Sequence, residues 1–310
     1  MLHGVILAGG VGSRFWPIST QDVPKQFLKL MDDDLSLLEM TDQRVQFLVQ
    51  KKMIQSNNLW LVSQCRYEAL LEKQRLSIPR DHWLLEPESK NTAAAIGWTA
   101  CEIERVDPEA SLLIVPSDHW ITPIEKFYES MVDALSIHER FPEKLLTFGK
   151  VPTYPTVHLG YLEKGASLFH HVYEVLRFVE KPSIEKARDL IGQQKVLWHC
   201  GNFIWSVKTF LSELERYGPR LLSQLQRVSS KNKSEIYQKL EKVSIDVALL
   251  EKTHALWVME AGFEWSDVGN WESLWHLKGE QFLPWLREHF QVSEEMLSDI
   301  VRRVKTTPDQ

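Results

Sequence analysis

The segment Ile6–Thr20 reads ILAGGVGSRFWPIST and places a glycine-rich turn directly after a short apolar run. Two glycines end the run, a third follows one residue later, and an arginine comes two positions after that. Glycine lets the backbone approach a ligand closely, and the free N–H groups of a strand-to-helix turn bind phosphate well. Taken alone, the pattern fits a phosphate-binding turn after a buried strand and a plain tight turn equally well.

Two familiar phosphate-binding patterns do not describe this turn. No GxxxxGK[ST] sequence occurs in the chain, and Phe15 stands where the third glycine of a dinucleotide-binding fingerprint would be. Two cations nevertheless follow the glycines, Arg14 and, after a proline, Lys25. Because a triphosphate needs its charge neutralised while a P–O bond breaks, two such cations suit a nucleoside triphosphate. The alternative is two solvated surface cations, which is the commoner explanation for an arginine and a lysine taken without further context.

The composition limits the partners of the chain. Its 310 residues are 44% hydrophobic and 25% charged, with a formal net charge of −6, so we expect a globular protein without a nucleic-acid partner. The three cysteines include no CxxC pair, which indicates neither a disulfide framework nor a zinc site and fits a reducing cytoplasm. No apolar run approaches about 18 residues, so the sequence predicts neither a membrane span nor a signal peptide.

Short β-rich runs alternate with helical patterns along most of the chain, which predicts an α/β fold with a mainly parallel sheet covered by helices. The predicted strands are Gly4–Ala8, Leu59–Ser63, Trp83–Glu86, Leu112–Val115, Leu145–Gly149, Tyr173–Val179, Phe203–Val207 and Ala255–Glu260. The predicted helices are Leu37–Lys51, Arg66–Lys73, Thr92–Val106, Ile124–Arg140, Ile184–Ile191, Lys208–Tyr217, Ser234–Leu240 and Asp246–Lys252.

The segment from about Gly279 onward differs from the rest. Its apolar residues fall on one face of a helix that Ser293 is placed to cap. These residues are Met296, Leu297, Ile300, Val301 and Val304. We therefore expect a main domain over residues 1–278 and a helical extension over residues 279–310. The extension packs either on the main domain or on a second copy of the chain, so a homodimer is one expectation.

The opening turn and the segment after it, LAGGVGSRFWP and PKQFL, resemble the signature of nucleotide-sugar pyrophosphorylases. Trp16 before Pro17, and Gln26 after Lys25, are most similar to the mannose-1-phosphate guanylyltransferase branch. The resemblance implies a Rossmann-like nucleotidyltransferase domain with a mostly parallel mixed sheet, followed by the short helical tail. It also implies that Arg14 and Lys25 hold the phosphates during catalysis. The residues that would wrap the nucleotide are Leu7, Ala8, Gly9, Gly10, Gly12 and Ser13.

A second element, LLEPESKNTAAAI, resembles the EPxxRNTAPAI element of the same family. The resemblance implies that Glu86, Asn91 and Thr92 lie near the nucleoside, although Lys90 replaces an arginine and Ala94 a proline. A buried carboxylate that accepts two N–H donors suits the edge of a guanine. The alternative for Asn91 and Thr92 is that they cap the following helix, and the two roles are compatible.

Two acidic residues, far apart in the chain, stand in segments that resemble the family's metal-binding elements. Asp118 follows Ser117 in LLIVPSDHWI, where an apolar run ends, and Asp267 lies in GFEWSDVGNW. The resemblance implies that both acids hold Mg²⁺ and that Ser117 binds the nucleotide; a simple turn is the alternative for Ser117 and Asp118. Mg²⁺ prefers one or two carboxylates plus phosphate oxygens, which is the number supplied here. We interpret His119 as structural.

The segment RFVEKPS resembles the family's FVEKP element, which implies that Glu180 accepts hydroxyls of the sugar and that Lys181 meets the sugar phosphate during catalysis. Other parts of the sugar side depart from the family. WHCGNFIW stands in place of WNSGMF or WNAGIF, and VHLGYL in place of TGYGYI. The predicted sugar-phosphate contacts are Gly160, Glu180, His199 and Asn202. Asp246 in SIDVALLEK is interpreted as supporting the site without reacting.

Together these elements imply transfer of a guanylyl group from GTP to mannose 1-phosphate, with Mg²⁺ as cofactor and pyrophosphate as the second product. The altered sugar side keeps two alternatives open: a pyrophosphorylase for another sugar 1-phosphate, and a non-catalytic regulator that binds sugar nucleotides. Guanine is inferred from the branch resemblance, so another base is a further alternative. The expected partners are the two substrates, with no nucleic acid and no membrane, in the cytoplasm.

Overall fold

The computed structural model describes residues 1–10, 15–16, 18–31, 34–290 and 292–305. Three residues of the predicted phosphate-binding turn, Gly12, Ser13 and Arg14, lie outside these ranges. The described residues form a nine-stranded sheet and a separate two-stranded sheet, with helices between the strands.

The strands lie close to the predicted positions, with several additions. In chain order they are β1 Leu2–Leu7, β2 Leu59–Gln64, β3 Trp83–Glu86, β4 Ser111–Pro116, β5 Trp120–Thr122, β6 Leu145–Lys150, β7 Tyr161–Phe169, β8 Val172–Val179, β9 Val196–Ser206, β10 Leu256–Glu260 and β11 Glu264–Ser266. The helices are α1 Leu37–Gln50, α2 Glu68–Leu71, α3 Thr92–Val106, α4 Ile124–Arg140, α5 Ile184–Gly192, α6 Val207–Tyr217, α7 Pro219–Leu225, α8 Lys233–Lys239, α9 Trp271–Lys278, α10 Phe282–His289 and α11 Glu294–Lys305. A short π-helical turn covers Asp246–Leu250.

The N-terminal half of the large sheet is parallel. Strands β3, β2, β1 and β4 are neighbours in that order, and each adjacent pair runs in the same direction. Their carboxyl ends therefore meet at one edge, where Leu7, Glu86 and Pro116 end three of the strands. In open α/β sheets this edge is where ligands bind.

The C-terminal half of the sheet is mostly antiparallel and curls back on itself. The sheet continues from β4 through β9, β6, β10 and β8 to β7, and β7 pairs again with β9. The strand β9 makes this closure possible because its last residues pair with β4 while its first residues pair with β7. The predicted strand Phe203–Val207 is thus only the end of a longer strand that begins at Val196.

Two apolar layers cover the two faces of the sheet. Successive residues of β4 alternate between them: Leu112 and Ile114 face one layer, and Leu113 and Val115 face the other. This alternation follows from the two-residue repeat of a strand. Helices α3, α6, α7 and α8 contribute to the first layer, and α1, α2, α4 and α5 contribute to the second. The mixed α/β architecture predicted from the sequence is confirmed.

A third apolar cluster joins the two ends of the chain. Trp271, Phe282 and Ile300 of the C-terminal helices pack in it with Phe15, which lies within the signature segment, and with Leu30, which follows it. The ring of Phe15 meets that of Trp271 edge-on, with centroids 5.0 Å apart. The C-terminal extension therefore packs on the main domain of its own chain, which was one of the two expectations. No helix in the described ranges is long and apolar enough to cross a membrane.

Candidate active site

A cleft of about 560 Å³ opens at the carboxyl ends of the parallel strands and extends over β9 toward β7. Most of the described residues predicted to bind substrate or metal line this cleft. They are Leu7, Gly9, Gly10, Lys25, Glu86, Asn91, Thr92, Ser117, Asp118, Gly160, Glu180, Lys181, His199 and Asp267. Residues from eight separate segments of the chain thus converge on one site of the size that usually holds a small molecule.

Two predicted contacts do not line the cleft. Ala8 is fully buried, and its carbonyl oxygen accepts hydrogen bonds from Gln26 Nε2 (3.1 Å) and Ser63 Oγ (2.9 Å). Asn202 is also fully buried, with its Nδ2 donating to the carbonyl oxygen of Cys200 at 3.0 Å. Because its side chain turns away from the cleft into the sheet, this placement does not support the predicted contact between Asn202 and a sugar phosphate.

Lys25 is held by three oxygen atoms at the centre of the cleft. Its ammonium group lies 2.9 Å from Asp118 Oδ2, 2.6 Å from the carbonyl oxygen of Asp267 and 2.9 Å from that of Val268. A lysine ammonium has three N–H donors, so all of them are engaged. The side chain is 7% exposed. Lys25 thus connects the turn after β4 with the turn after β11 and reaches a phosphate only by exchanging one of these contacts.

The turn after β11 has an unusual backbone. Val268 has a φ of 42°, a conformation that costs a β-branched residue steric strain, and its side chain is fully buried. The hydrogen bond from Lys25 to its carbonyl oxygen stabilises this conformation. Asp267, one residue earlier, accepts a hydrogen bond on Oδ1 from the backbone N–H of Gly269 at 3.0 Å. The strained turn therefore sets the direction of the Asp267 carboxylate.

Asp118 and Asp267 both line the cleft and offer carboxylate oxygens of the kind that hard divalent cations take as ligands. Burial, the largest single effect, works against ionisation of Asp118, but the charge of Lys25, the field of His119 and the hydrogen bonds to the carboxyl together outweigh it. The pKa of Asp118 is therefore lowered from its ordinary value. The described residues contain no cluster of three or more histidine, cysteine or acidic side chains. Two oxygen-donating acids beside space for phosphates suit an ion that keeps waters and substrate oxygens as its other ligands. The residues present therefore fit a divalent cation of this kind.

His119, which we interpreted as structural, lines the cleft and supports Asp118. Trp265 Nε1 donates to His119 Nδ1 at 3.1 Å, so the ring proton of the neutral imidazole lies on Nε2, 3.9 Å from Asp118 Oδ1. Burial lowers the pKa of His119 to about 4, which keeps the ring uncharged near pH 7. Arg44 donates to the backbone carbonyl of His119 at 3.1 Å. These contacts fix the residue that follows Asp118.

Glu86 lies at the end of the cleft that the sequence predicts to hold the nucleotide, called the nucleotide end here, and one of its buried oxygens is unpaired within the described residues. Its side chain is 2% exposed, and Oε1 has no hydrogen-bond partner within the described part of the chain. Burial raises the pKa of this carboxyl to about 8, against the opposing effect of Tyr237. A Cβ atom added to Gly9 would lie 3.2 Å from Glu86 Oε2, so the glycine keeps this approach open. Such a group is suited to a ligand that brings hydrogen-bonding atoms with it.

Asn91 and Thr92 have the capping role considered from the sequence and also line the cleft. Asn91 Oδ1 accepts a hydrogen bond from the backbone N–H of Thr92 at 2.8 Å at the start of α3. Thr92 Oγ1 accepts one from the backbone N–H of Ile245 at 2.8 Å. This second bond ties the nucleotide end of the cleft to the segment that carries Asp246.

The end of the cleft that the sequence predicts to hold the sugar, called the sugar end here, is formed by residues of or beside β7, β8 and the first half of β9. Glu180 Oε1 and Lys181 Nζ form an ion pair directly after β8. Gly160 leaves room for them, because a Cβ atom there would lie 2.9 Å from Glu180 Oε2 and 2.8 Å from Phe178 Cζ. Contacts this short do not occur between real side chains, so a larger residue would displace Glu180 or Phe178.

His199 stands in this end of the cleft between two aromatic rings. The ring centroids of Phe178 and Phe203 lie 5.1 Å and 5.3 Å from that of the imidazole. His199 Nε2 is 3.0 Å from Thr147 Oγ1, and Nδ1 is 3.5 Å from Asp246 Oδ1. Burial lowers the pKa of His199 to about 4, and burial raises the pKa of Asp246.

Several cleft residues were not among the predicted contacts. They include Gln26, His119, His158, Asp246 and Trp265. Gln26 has a clear structural role, because its Nε2 donates to the carbonyl oxygens of Ala8 (3.1 Å) and Gly10 (2.9 Å) and so holds the glycine turn. Its place beside Lys25 in the PKQ element was the available signal. Trp265 offered the same kind of signal, because it lies in the GFEWSDVGNW element together with Asp267.

Comparison with known proteins agrees with this geometry. The Nucleotidyl transferase family model matches residues 3–281. A mannose-1-phosphate guanylyltransferase from Klebsiella pneumoniae is 35% identical over 300 residues, which cover 91% of this chain and 61% of that protein. A solved structure named mannose-1-phosphate geranyltransferase, from Thermus thermophilus, has a TM-score of 0.79 at 30% identity and covers 90% of this chain and 79% of that one.

A second solved structure, named mannose-6-phosphate isomerase, comes from Helicobacter pylori. It has a TM-score of 0.67 at 27% identity and covers 86% of this chain and 99% of that one. The chain spans 54% to 64% of the lengths of eight curated relatives that it matches. Since the family model covers most of the sequence and the same segments build the cleft, the chain belongs to the nucleotidyl transferase family.

Proposed function

We propose that this chain transfers a guanylyl group from GTP to mannose 1-phosphate and releases pyrophosphate. The observation that carries the proposal is the position of Lys25, which contacts Asp118 and the backbone of Asp267 in a cleft also lined by Glu86 and Lys181. The names of the Klebsiella and Thermus proteins support a sugar 1-phosphate as the acceptor.

The proposed reaction exchanges one P–O bond for another. An oxygen of the sugar 1-phosphate bonds to the α-phosphorus of GTP, and the bond from that phosphorus to the pyrophosphate oxygen breaks. Pyrophosphate leaves with the electron pair. A phosphate monoester is already anionic near pH 7, so the attacking oxygen needs no general base. Catalysis then depends on alignment of the two phosphates and on positive charge near the transition state.

The residues of the cleft supply that alignment and charge. The glycine turn that Gln26 holds brings backbone N–H groups toward the nucleotide, and Glu86 presents its oxygen to the base. Lys25 keeps Asp118 and Asp267 at one place. A Mg²⁺ ion held by these two acids would neutralise phosphate charge as a Lewis acid. Arg14, outside the described residues, is proposed to add a further positive charge.

The sugar phosphate is proposed to bind near Lys181. This lysine is paired with Glu180 in the cleft, and its φ of 45° marks a backbone conformation that non-glycine residues seldom adopt. A phosphate that takes over the ammonium group would free the Glu180 carboxylate to accept a hydroxyl of the same sugar. One substrate can therefore use both members of the pair.

The test is a panel assay of pyrophosphate release with Mg²⁺. GTP, ATP, UTP and dTTP are each offered with mannose 1-phosphate, glucose 1-phosphate and other sugar 1-phosphates, and Asp118→Asn serves as the matched variant. Turnover confined to GTP with mannose 1-phosphate, lost in the variant and on addition of EDTA, supports the proposal. Isomerisation of mannose 6-phosphate is measured in the same preparation because of the Helicobacter structure's name.

Two other results would replace this function. His199 stands where the family element has an asparagine, and this difference at the sugar end favours a different sugar 1-phosphate as the acceptor. Turnover with GTP and a sugar 1-phosphate other than mannose 1-phosphate would establish that function. Tight binding of GDP-mannose without turnover for any pair would indicate a regulator that binds sugar nucleotides. The cytoplasmic location and the homodimer stay predictions from the sequence.

A further inference from the structure

We propose that Thr147 fixes the tautomer of His199 so that His199 Nδ1 and Asp246 together accept hydroxyl groups of the sugar, while the phosphate binds elsewhere. The inference rests on the proposed function, because it names which part of the sugar 1-phosphate meets this pair. It assigns a role to Thr147 and to Asp246. It also limits His199, predicted from the sequence to contact the sugar phosphate, to the hydroxyl groups of the sugar. The three residues come from β6, the π-helical turn and β9.

The tautomer follows from the donors around Thr147. The Thr147 hydroxyl donates its single proton to the backbone carbonyl of Asn202 at 2.9 Å. The same oxygen lies 3.0 Å from His199 Nε2, so it can only accept there. His199 Nε2 must therefore carry the ring proton, and Nδ1 of the neutral imidazole carries a lone pair.

The lone pair faces a second acceptor across a short gap. His199 Nδ1 is 3.5 Å from Asp246 Oδ1, which is longer than an ordinary hydrogen bond. Both residues line the cleft, and the walls beside the imidazole are the apolar rings of Phe178 and Phe203. Two acceptors at this spacing suit neighbouring hydroxyls of a sugar, each of which donates one hydrogen bond.

The same arrangement is unsuited to a phosphate. A phosphate oxygen needs a donor, and neither the Nδ1 lone pair nor the Asp246 carboxylate provides one. The charged groups that act on this pair are Glu180, Lys181 and Glu251. Of these, only the Lys181 ammonium attracts a phosphate. The sugar ring is thus oriented with its phosphate toward Lys181 and with hydroxyls toward the His199–Asp246 pair.

The tautomer is tested first, without any substrate. Protein labelled with ¹⁵N in its histidines is studied by long-range ¹H–¹⁵N correlation at pH 7, and His199→Asn assigns the His199 signals among the 11 histidines of the chain. We expect the ring proton of His199 on Nε2 alone, both in the unsubstituted protein and in Thr147→Ser. In Thr147→Val we expect a mixture of the two neutral tautomers. A proton on Nδ1, or on both nitrogens, in the unsubstituted protein would overturn the inference.

The hydroxyl contact is tested by kinetics with mannose 1-phosphate and its 2-deoxy and 3-deoxy analogues. Thr147→Val and Asp246→Asn should each raise the KM for mannose 1-phosphate about tenfold, with kcat and the KM for GTP changed less than about twofold, and Thr147→Ser should restore the KM. The variants should also lose the discrimination between mannose 1-phosphate and at least one deoxy analogue. Unchanged KM values in both variants would refute the hydroxyl role.

A failure of the proposed function can be distinguished from a failure of the inference about His199. If no sugar 1-phosphate supports pyrophosphate release, the proposed function fails whatever the NMR spectrum shows. If turnover is present but the His199 proton lies on Nδ1, or Thr147→Val leaves discrimination intact, only the present inference fails. Thermal unfolding of each variant separates a local effect from loss of the fold.

Discussion

Replacement of Glu86 by glutamine should make the protein more stable at neutral pH and should flatten the pH dependence of its stability. Glu86 is a buried carboxyl whose Oε1 lacks a hydrogen-bond partner in the described structure. Burial raises its pKa from 4.5 to about 8 in the folded state. Because the folded pKa is the higher one, the folded protein keeps a proton that the unfolded chain releases above about pH 4.5. Stability therefore falls as the pH rises from about 4.5 to about 8.

The magnitude follows from the width of that window. Between about pH 5.5 and pH 7.5 the unfolded chain has released nearly the whole proton, whereas the folded chain has released almost none at the lower pH and about a quarter at the higher one. At about 1.4 kcal/mol per pH unit, the free energy of unfolding should fall by about 2 to 3 kcal/mol over this range because of Glu86 alone. Glu86→Gln lacks the titrating group, so this part of the pH dependence disappears.

The assay is urea unfolding of both proteins at the two pH values, analysed as a double difference. The double difference is the pH-dependent change in unfolding free energy of one protein minus that of the other. The contribution of every other titrating group is the same in both proteins and cancels. The cost of an unpaired amide in the variant is the same at both pH values and cancels as well. Glu143→Gln, which removes an exposed carboxylate, provides the background value. A double difference for Glu86 below about 0.5 kcal/mol would mean that the carboxyl is ionised in the folded protein and that the reasoning from burial is wrong.

Three further predictions concern Lys25, Gly160 and the C-terminal extension. Lys25→Met should lower kcat at least a hundredfold and also lower Tm, because it leaves Asp118 and the carbonyl oxygens of Asp267 and Val268 without their shared donor; kcat within threefold of the unsubstituted protein would contradict this. Gly160→Ala should raise the KM for the sugar 1-phosphate without changing that for GTP, because the added Cβ atom would lie 2.9 Å from Glu180 Oε2; equal KM values for the sugar 1-phosphate would count against it. Ile300→Ala, at a side chain 1% exposed, should cost about 2 to 5 kcal/mol of unfolding free energy and also reduce turnover, whereas Met296→Ala, at a residue 36% exposed, should do neither. Loss of stability without any loss of turnover would show that the extension supports the fold alone.

The sequence predicted the site best where a functional residue directly follows a regular apolar pattern. The glycine turn, Glu86 and Asp118 each follow a short apolar run, and these runs became neighbouring parallel strands whose ends meet at the cleft. The predicted helices Thr92–Val106 and Ile124–Arg140 have the observed bounds, because a clear apolar repeat runs through both. The residues of the nucleotide end could therefore be grouped without coordinates.

The curled half of the sheet could not be predicted in the same way. Strand β7 contains Glu163 and Lys164 at partly exposed positions, and its partners are antiparallel strands that need no apolar run on both faces. The first half of β9 pairs with β7, and the pairing depends on how the sheet closes rather than on the local sequence.

Side-chain partners that are distant in the chain were equally inaccessible. Lys25 was expected to hold phosphates, and the sequence contained no sign that its ammonium would engage the carbonyl oxygens of Asp267 and Val268. Asn202 follows His199 by three residues on one strand, yet only His199 reaches the cleft. Side chains alternate between the two faces of a strand, so residues three apart on β9 point in opposite directions, and the predicted contact at Asn202 did not take this repeat into account.

The cluster that unites Phe15 and Leu30 with Trp271, Phe282 and Ile300 has a consequence for biosynthesis. During translation Phe15 and Leu30 leave the ribosome among the first residues, whereas Trp271, Phe282 and Ile300, which pack with them, are made more than about 240 residues later. The parallel strands can pair in the meantime, but the segment around Phe15 stays without its apolar partners. A nascent chain halted before α11 should therefore carry every predicted substrate contact and still lack a finished site. We therefore expect turnover only after α9, α10 and α11 have packed against the segment that contains Phe15 and Leu30.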